Sequence, residues 1–387
     1  MNEPHKSKIQ NPSERSDNPA GTRTKSNIAS SWLFPLSVKN DFVFNPSPRD
    51  FTVEEIPLYE FSGSGEHLIV QVRKKGLSTW ELTDLLSNRL GIPRRQIGYA
   101  GLKDKHALTT QYISLPASVE KELERFEHEG VKIQELTRHE NKLRVGHLKG
   151  NRFRLRFKKV LGVQKEKIDR VLDWIEKNGM PNYFGEQRFG LEGNNWQEGK
   201  AIVEGKLRIR ERKMREFLIS AYQSKLFNDW LSRRIGISRL LEEFAEKEVE
   251  GIEKLPAGTL RGTKGQEHFF KILEGDWMMH YPYGRLFVAE DLASEAAKFA
   301  AKDRCPTGLL PGRKVKRALE AARIVEVPYD DERIAEQGSR RYAWVYPEEI
   351  KRRYVPEKAH YELSFTLPKG SYATVLVAML RGGFEEG

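Results

Sequence analysis

The chain has 387 residues, 38% of them apolar and 31% charged, a composition typical of a globular protein long enough for two domains. No run approaches the roughly eighteen apolar residues of a membrane span, and the N-terminus lacks the apolar core of a signal peptide, so neither a membrane protein nor a secreted one is expected. Lysine and arginine number 66 against 55 aspartates and glutamates, and the net charge of +11 favours a polyanionic partner, although a solvated basic surface would have the same composition.

Residues 1–31 are predicted to be a disordered tail, because they are rich in Asn, Ser, Pro, Lys and Arg and have almost nothing to bury. Order is expected from Trp32. Residues 67–73 have the pattern of a strand. Ser78 and Glu81 then have the spacing of a capping box, and the leucines that follow at helical spacing predict a helix that ends at Gly91. A strand followed by a helix indicates a mixed α and β domain.

A later strand is predicted at residues 152–158, where cations alternate with apolar residues. The period of two places all the cations on one face and the apolar residues on the other. We interpret the cationic face as a phosphate-binding surface, with an ordinary solvated strand face as the alternative. Its residues are Arg152, Arg154, Arg156 and Lys158.

Two amphipathic helices follow, and a different type of segment comes after them. Residues 168–175 carry an apolar stripe that ends at Gly179, and a second helix is predicted at 212–234. Both stripes are interpreted as core. Residues 279–285 and 306–312 are punctuated by glycine and proline. A strand at 363–367 and an apolar helix at 372–380 close the chain, and no repeat of fixed period is present.

Several well-known sites are absent from the sequence. It has no phosphate-binding loop of the G-x-x-x-x-G-K-[ST] type and no G-x-G-x-x-G after a strand. The nine histidines are scattered, and Cys305 is the only cysteine, so no metal site is predicted and no intrachain disulfide can form. A single cysteine suits a reducing cytoplasm, and Cys305 is expected to be a buried structural thiol.

Two stretches could carry chemistry. In the first, residues 98–112, glycines permit close approach of a ligand and Asp104 lies between Lys103 and Lys105. Neighbouring cations favour the ionised carboxylate and attract phosphate, which suits a nucleophile or base in an RNA-binding surface. A solvated charged turn would look the same.

The second stretch is Pro-Asn-Tyr-Phe-Gly-Glu-Gln-Arg-Phe-Gly, at residues 181–190. Aromatic side chains interleave with hydrogen-bonding ones, as they do where unpaired bases are stacked and read at their edges. A glycine-bounded core loop with packed aromatics is the other interpretation. On the residues alone, both stay open.

Both stretches resemble signature motifs of the pseudouridine synthase D (TruD) family of tRNA enzymes. The Gly-x-Lys-Asp loop of that family matches residues 101–104, and its Asn-Tyr-Phe-Gly-x-Gln-Arg-Phe-Gly loop matches residues 182–190. The resemblance extends over about residues 40–385. Further matches in the same order lie at residues 50–55, 65–68, 148–151, 220–228 and 367–374.

The resemblance implies an α+β protein: a catalytic domain with a mainly antiparallel mixed sheet, interrupted by an inserted family-specific α/β domain. The boundaries expected here are a catalytic domain at 32–207 and 347–387 and an insertion at 208–346. The family isomerises uridine 13 of tRNA and uses neither cofactor nor metal. A cytoplasmic monomer whose partner is tRNA is therefore expected, with no membrane association. The insertion is expected to govern substrate choice more than chemistry.

The resemblance also assigns roles to residues. Asp104 matches the catalytic carboxylate. Phe184 is expected to stack on the target base and Asn182 to hold it. The weaker candidates are Lys103 and Arg188, which would orient the carboxylate or phosphate, and Glu55, which matches an acidic position without an assigned role.

One departure concerns the cation expected shortly before residues 50–55. This chain has Asn45 where the family often has lysine, and Lys39 or Arg49 are the substitutes that the sequence offers.

Two alternative functions stay open on the sequence. One is an RNA-binding protein or chaperone with this fold and little activity, and the other is a synthase that acts on mRNA or rRNA. The residues also leave open whether the carboxylate attacks the sugar or removes a ribose proton.

Overall fold

The computed structural model describes residues 33–36, 39–103, 105, 107–190 and 192–382. The predicted tail at residues 1–31 and Asp104 lie outside these described residues. The strands are β1 (Phe51–Pro57), β2 (His67–Lys74), β3 (Gly98–Tyr99), β4 (Leu108–Pro116), β5 (Val131–His139), β6 (Leu148–Lys158), β7 (Met180–Pro181), β8 (Trp277–His280), β9 (Leu286–Val288), β10 (Arg304–Leu310), β11 (Ser339–Tyr342), β12 (Trp344–Val345), β13 (Glu348–Val355) and β14 (His360–Pro368). The α-helices are α1 (Thr79–Leu90), α2 (Glu120–Glu124), α3 (Gly162–Asn178), α4 (Asn195–Val203), α5 (Arg212–Glu243), α6 (Glu246–Ile252), α7 (Leu292–Ala300), α8 (Glu320–Glu326) and α9 (Ala373–Arg381).

The larger sheet has eight strands in the order β13-β14-β6-β1-β4-β2-β5, with β3 beside β4. Strands β1 and β4 are parallel, and the other neighbouring pairs in this sheet are antiparallel. This confirms the predicted α+β fold with a mainly antiparallel mixed sheet. The C-terminal part of the chain joins the N-terminal part in this sheet, because β14 pairs with β6 along its whole length, from His360 opposite Lys158 to Pro368 opposite Gly150.

One face of this sheet carries two separate hydrophobic clusters. The first, the α1 cluster, joins the inward residues of β2 and β4 to the leucine stripe of α1 and includes Val70, Ile113 and Leu86. The second, the main cluster, joins β6 and β14 to α3 and α9 and includes Phe153 and Phe365. Each cluster follows from a period of two on the strands and of 3.6 on the helices.

The predicted boundaries of α1 are confirmed by its capping. The Ser78 hydroxyl accepts from the Glu81 amide, the Glu81 carboxylate accepts from the Ser78 amide, and Gly91 closes the helix with φ of 65°. A left-handed residue at this position is the usual place for glycine. Helix α1 is therefore firmly positioned, which matters because its first residue contacts the candidate site.

Helix α5 extends nine residues beyond the predicted end at residue 234. Its side chains are buried around most of its circumference, and Phe227, Trp230 and Leu231 belong to the main cluster together with Phe153 of the large sheet. A helix that is apolar on several sides is buried rather than amphipathic. The segment 208–346 thus shares a hydrophobic core with the large sheet, while its boundaries as a domain stay a prediction.

The four-stranded sheet, in the order β11-β10-β8-β9, lies within that segment. Its inner strand β10 contains Pro306 and Gly308, which the sequence analysis interpreted as punctuation. Gly308 is needed for close packing, because a Cβ there would lie 2.3 Å from the Trp230 ring. Cys305 on the same strand is buried, as predicted, and burial raises the pKa of its thiol. In the described part of the chain, no helix is long and apolar enough to cross a membrane.

Candidate active site

A buried ion pair lies between the two hydrophobic clusters of the large sheet. Glu55 is on β1 and faces the same side as Val53, and the Lys103 ammonium lies 2.9 Å from its carboxylate. Both side chains are at least 95% buried. A charged side chain that is removed from water is destabilising unless it has a partner of opposite charge. Lys103 and Glu55 therefore depend on each other, unlike an ion pair at the surface.

Two neighbouring strands and a helix hold the pair in place. Asn151 is opposite Glu55 in the β1–β6 register, and its Oδ1 accepts from Lys103 Nζ at 2.6 Å. The other Glu55 oxygen accepts from the Tyr112 amide at 3.2 Å. The Thr79 hydroxyl at the start of α1 accepts from the Lys103 amide at 2.8 Å. The backbone that leads into Asp104 is thus held at Lys103.

These contacts give Lys103 and Glu55 a definite arrangement. Lys103 points to a carboxylate and an amide inside the protein, which supports an orienting role rather than phosphate binding. Arg49, offered as a substitute for the cation missing at Asn45, lines a cleft with Thr52 and Arg154, whose side chains are on the opposite face of the sheet from Glu55. Lys39 is exposed. The cation beside Glu55 is Lys103, from the loop at residues 101–104.

The loop at residues 182–190 places Phe184 in an aromatic niche. The backbone of Phe184 makes two hydrogen bonds with the Asn228 side chain of α5, at 2.8 and 3.0 Å. Its ring meets Phe227 edge to face at 5.6 Å and lies 6.1 Å from the Tyr372 ring. Phe184 is 9% exposed. The ring is therefore part of the core, with a small part of its surface open.

Arg341 was missed by the sequence analysis and is central to this niche. Its guanidinium carbon lies 4.0 Å from the Phe184 ring centroid. The same group donates to Asn182 Oδ1 at 2.7 Å and to the Gly370 carbonyl at 2.8 Å. Burial and the nearby charge of Arg188 lower the pKa of Arg341 to about 10. It remains a cation at neutral pH, so it holds both motif residues by charge and by shape.

Both polar atoms of the Asn182 side-chain amide form hydrogen bonds within the protein. Its Nδ2 donates to the Tyr342 carbonyl at 3.0 Å, and its Oδ1 accepts from Arg341. Asn182 is 4% exposed. A direct bond from Asn182 to a base stays a prediction, and these contacts give the residue a supporting position in the niche.

Arg188 is directed toward α5. Its guanidinium donates to Ser220 at 2.7 Å and to Ser224 at 3.2 Å, and its carbon lies 5.9 Å from the Phe184 ring. It is half-buried and forms part of the wall of the niche. Arg341 and Asn228 belong to the segment 208–346 and contact Phe184, so this segment contributes side chains to the candidate site. Its expected control of substrate choice stays a prediction.

The turn between β14 and α9 connects the ion pair to the aromatic niche. Leu367 at the end of β14 is opposite Asn151, and Gly370 accepts from Arg341. Three residues of chain span at most about 11 Å, so Leu367 and Gly370 lie within that distance of each other. Residues 55, 103 and 151 of the first half of the chain thus form the ion-pair site, and residues 341 and 370 of the second half are joined at the aromatic niche.

The cations of β6 share one face of the strand, as predicted, but each of them pairs with a carboxylate of a neighbouring segment. Phe153, Leu155 and Phe157 are buried in the main cluster, and the cations share the other face. Neighbouring strands and the turn before β1 supply carboxylates to every cation, which the sequence of the strand alone does not reveal. The pairs are Arg152 with Glu54 and Glu349, Arg154 with Glu54, Arg156 with Asp50 and Glu362, and Lys158 with Asp50.

Among the described residues, no three His, Cys, Asp or Glu side chains converge in a group that could hold a metal ion. The charged side chains that the preceding contacts place in the candidate site, among the described residues, are Lys103, Glu55, Arg188 and Arg341.

Comparison of the chain with known protein families identifies its family. The model of tRNA pseudouridine synthase D (TruD) matches residues 43–209 and 207–380. The chain belongs to the tRNA pseudouridine synthase D family. Members of this family isomerise uridine to pseudouridine in tRNA, and the chain is accordingly a pseudouridine synthase, an enzyme of the isomerase class.

Similar curated proteins cover most of the chain. The tRNA pseudouridine synthase D of Wolinella succinogenes is 54% identical over 341 residues, 88% of this chain and 94% of its own length. That of Nitratiruptor sp. is 55% identical over 337 residues, 87% of this chain and 94% of its own length. A crystal structure of a Methanosarcina mazei protein assigned to tRNA pseudouridine synthase D matches with a TM-score of 0.64 at 21% identity, over 91% of this chain and 96% of that one. This likeness supports the fold.

Proposed function

We propose that this chain isomerises uridine 13 of tRNA and that Asp104 is its catalytic carboxylate. The observation that carries the proposal is the buried Lys103–Glu55 pair, because it fixes the residue directly before Asp104 in the gap between the two hydrophobic clusters. The negative charge of Glu55 is compensated by Lys103, so this carboxylate already has partners inside the protein. Asp104 is the next residue of the same loop and matches the catalytic carboxylate of the family's Gly-x-Lys-Asp motif.

The reaction exchanges one bond at the ribose for another. The bond from uracil N1 to C1′ breaks, C1′ then bonds to C5 of the same ring, and the C5 proton is replaced by one on N1. A carboxylate can take part by attacking C1′ or by removing a ribose proton. The detached uracil must be kept while it turns, and the niche around Phe184 offers an aromatic ring held between a cation and two other rings.

In this proposal, Phe184 stacks on the target base, and Arg341 and Asn228 position Phe184. The face of the ring that Arg341 covers is occupied, so the base would use the remainder of the ring surface. The target must first leave its helical stack, at a cost of a few kcal/mol. Stacking of the base on the Phe184 ring offsets part of that cost.

The test is conversion of an unmodified tRNA transcript, with pseudouridines mapped by carbodiimide chemistry. A new pseudouridine at position 13, and none in a transcript with cytidine at that position, supports the proposal. Binding without any new pseudouridine would favour the RNA-binding or chaperone function. Modification of mRNA or rRNA fragments in preference to tRNA would favour the other alternative. The cytoplasmic location and the monomeric state stay predictions.

A further inference from the structure

Three rings line an open cleft on the face of the large sheet opposite Glu55, and a fourth ring packs against two of them. Tyr59 follows β1, Phe61 lies two residues later, His139 ends β5 and His147 precedes β6. All four side chains are half-buried. The cleft has a volume of about 460 Å³, and its lining includes Tyr59, His139, Lys142, Arg144 and His147.

The rings are already ordered against one another. Tyr59 stacks on His139 with centroids 5.1 Å apart and planes 28° apart, and its hydroxyl is 3.0 Å from Nδ1 of His147. Phe61 contacts both Tyr59 and His139 edge to face. Rigid aromatic surfaces at the rim of a polar cleft are suited to stacking on a nucleobase, because little side-chain entropy is lost on binding.

The cleft also has cations that the protein does not neutralise. Within the described ranges, no ion pair joins Lys142 or Arg144 to a carboxylate, whereas every cation of the β6 face is paired. Burial and the charge of Arg144 lower the pKa of Lys142. Glu60 is the acidic residue in the cleft lining. The available positive charge is therefore greater here than on the predicted strand face.

The cleft adjoins the catalytic loop. The Gly146 amide donates to the Ala100 carbonyl at 2.8 Å, and a Cβ on Gly98 would lie 2.5 Å from the Leu143 carbonyl. Tyr59 is four residues from Glu55 along the chain, which is at most about 14 Å.

The rings lie on the face of the sheet opposite Glu55, because Phe61 packs on Tyr112, which alternates with Gln111 and Ile113 along β4. An RNA strand that reaches both the cleft and the site between the two hydrophobic clusters must therefore pass the end of the sheet at residues 98–100.

We propose that the cleft lined by Tyr59, His139, Lys142, Arg144 and His147 is a subsite for a second, unpaired nucleotide of the RNA substrate. Its base stacks on the Tyr59–His139 rings, and its phosphate lies at Lys142 and Arg144. The proposal rests on the proposed function for the identity of the RNA. The subsite contributes affinity and register and takes no part in bond making.

The first experiment measures the dissociation constant of an unmodified tRNA transcript. Tyr59→Leu removes the ring but keeps apolar bulk, and we expect it to raise Kd by about tenfold. Phe244→Leu, at an exposed aromatic just beyond the end of α5, is the matched control. Parental affinity for Tyr59→Leu would overturn the proposal.

The second experiment places single abasic residues at the unpaired positions of the transcript outside position 13. One abasic position should raise the Kd of the parent about tenfold and leave that of Tyr59→Leu unchanged, because the lost base and the lost ring are the same contact. Absence of such coupling at every position would rule the subsite out. If the parent binds with this coupling but converts no uridine, the proposed function fails and the subsite stands.

A third variant keeps the test decisive if Tyr59→Leu does not fold. Replacement of both Lys142 and Arg144 by glutamine should reduce the slope of log Kd against log salt by about two counterions. The same slope as the parent would overturn the phosphate contact.

Discussion

The Arg341 guanidinium lies over the Phe184 ring at 4.0 Å and donates to the Asn182 side chain at 2.7 Å. One residue from the far end of the chain thus holds two residues of the motif at 182–190. The contact joins β11 of the smaller sheet to the loop that follows β7, and no pattern within either segment indicates it.

We predict that Arg341→Lys lowers the rate of pseudouridine formation more than it weakens tRNA binding. Lysine keeps the charge but cannot reproduce the planar fork that bonds Asn182 and Gly370 while stacking on Phe184. Misplacement of a positioning group costs on the order of 100-fold in rate. Single-turnover formation at saturating enzyme and the Kd of tRNA are the measurements.

Arg353→Lys is the matched control for this change, because Arg353 on β13 is 76% exposed. A parental rate for Arg341→Lys would contradict the positioning role. A slow rate that recovers fully at higher enzyme concentration would assign Arg341 to binding instead.

The Lys103–Glu55 pair is predicted to couple strongly. Lys103→Met leaves a buried carboxylate without its cation and should lower the free energy of unfolding by about 3–5 kcal/mol. Adding Glu55→Gln to that variant should restore part of the loss, since the unpaired charge is then gone. Urea denaturation of the two single variants and the double variant measures the coupling. Additive losses would show that the two side chains do not depend on each other.

Asp104→Asn is predicted to abolish isomerisation while tRNA binding survives. The amide keeps the size of the carboxylate but can neither attack ribose nor accept its proton at neutral pH. Binding could even tighten, because a negative charge near phosphate is removed. Single-turnover formation and tRNA affinity, measured in parallel, test this.

Asp84→Asn serves as the control for Asp104. Asp84 is about half exposed and pairs with Arg94 at the surface, a contact worth roughly 1 kcal/mol at most. Near-parental turnover by Asp104→Asn would remove the catalytic assignment. Loss of both fold and binding would make Asp104 structural.

The cationic strand face is expected to bind phosphate weakly, because its charges are paired. Arg154 is the most exposed of the four, at 66%, and its contact with Glu54 is 4.0 Å. Arg154→Gln should therefore reduce the salt slope of tRNA binding by about one counterion. Arg170→Gln, on an exposed turn of α3, is the control. An unchanged slope for Arg154→Gln would return this face to a purely structural role.

Stability is predicted to fall in mild acid because of His268. Burial lowers the pKa of this imidazole to about 4, and its Nδ1 accepts from the Phe270 amide. The unfolded chain takes up the proton near pH 6.5 and the folded one only near pH 4, so stability is full above pH 6.5 and is lost as pH falls to about 4. The loss is about 3 kcal/mol.

Urea unfolding of the parent, His268→Gln and the exposed-histidine control His280→Gln between pH 4 and 7 measures this contribution. The His268 variant should show a shallower dependence on pH than the other two proteins. Equal slopes for all three would exclude His268 as the source.

The sequence by itself determined the local elements and the motif residues. The capping box at Ser78, the alternation along β6 and the stripe of α3 predict structure because each depends on neighbours within a few residues. The Gly-x-Lys-Asp and Asn-Tyr-Phe-Gly motifs identified the family for the same reason, since a short run of residues carries them.

Only the tertiary structure decided what those residues face. Lys103 forms an ion pair with Glu55, and the cations of β6 form ion pairs with carboxylates of neighbouring segments. Arg341 reached Phe184 from the other end of the chain. Gly308 proved to be a packing position under Trp230 rather than a turn. Strand register and helix packing join residues far apart in sequence, and a periodic pattern contains no information about which distant residue will lie across the contact.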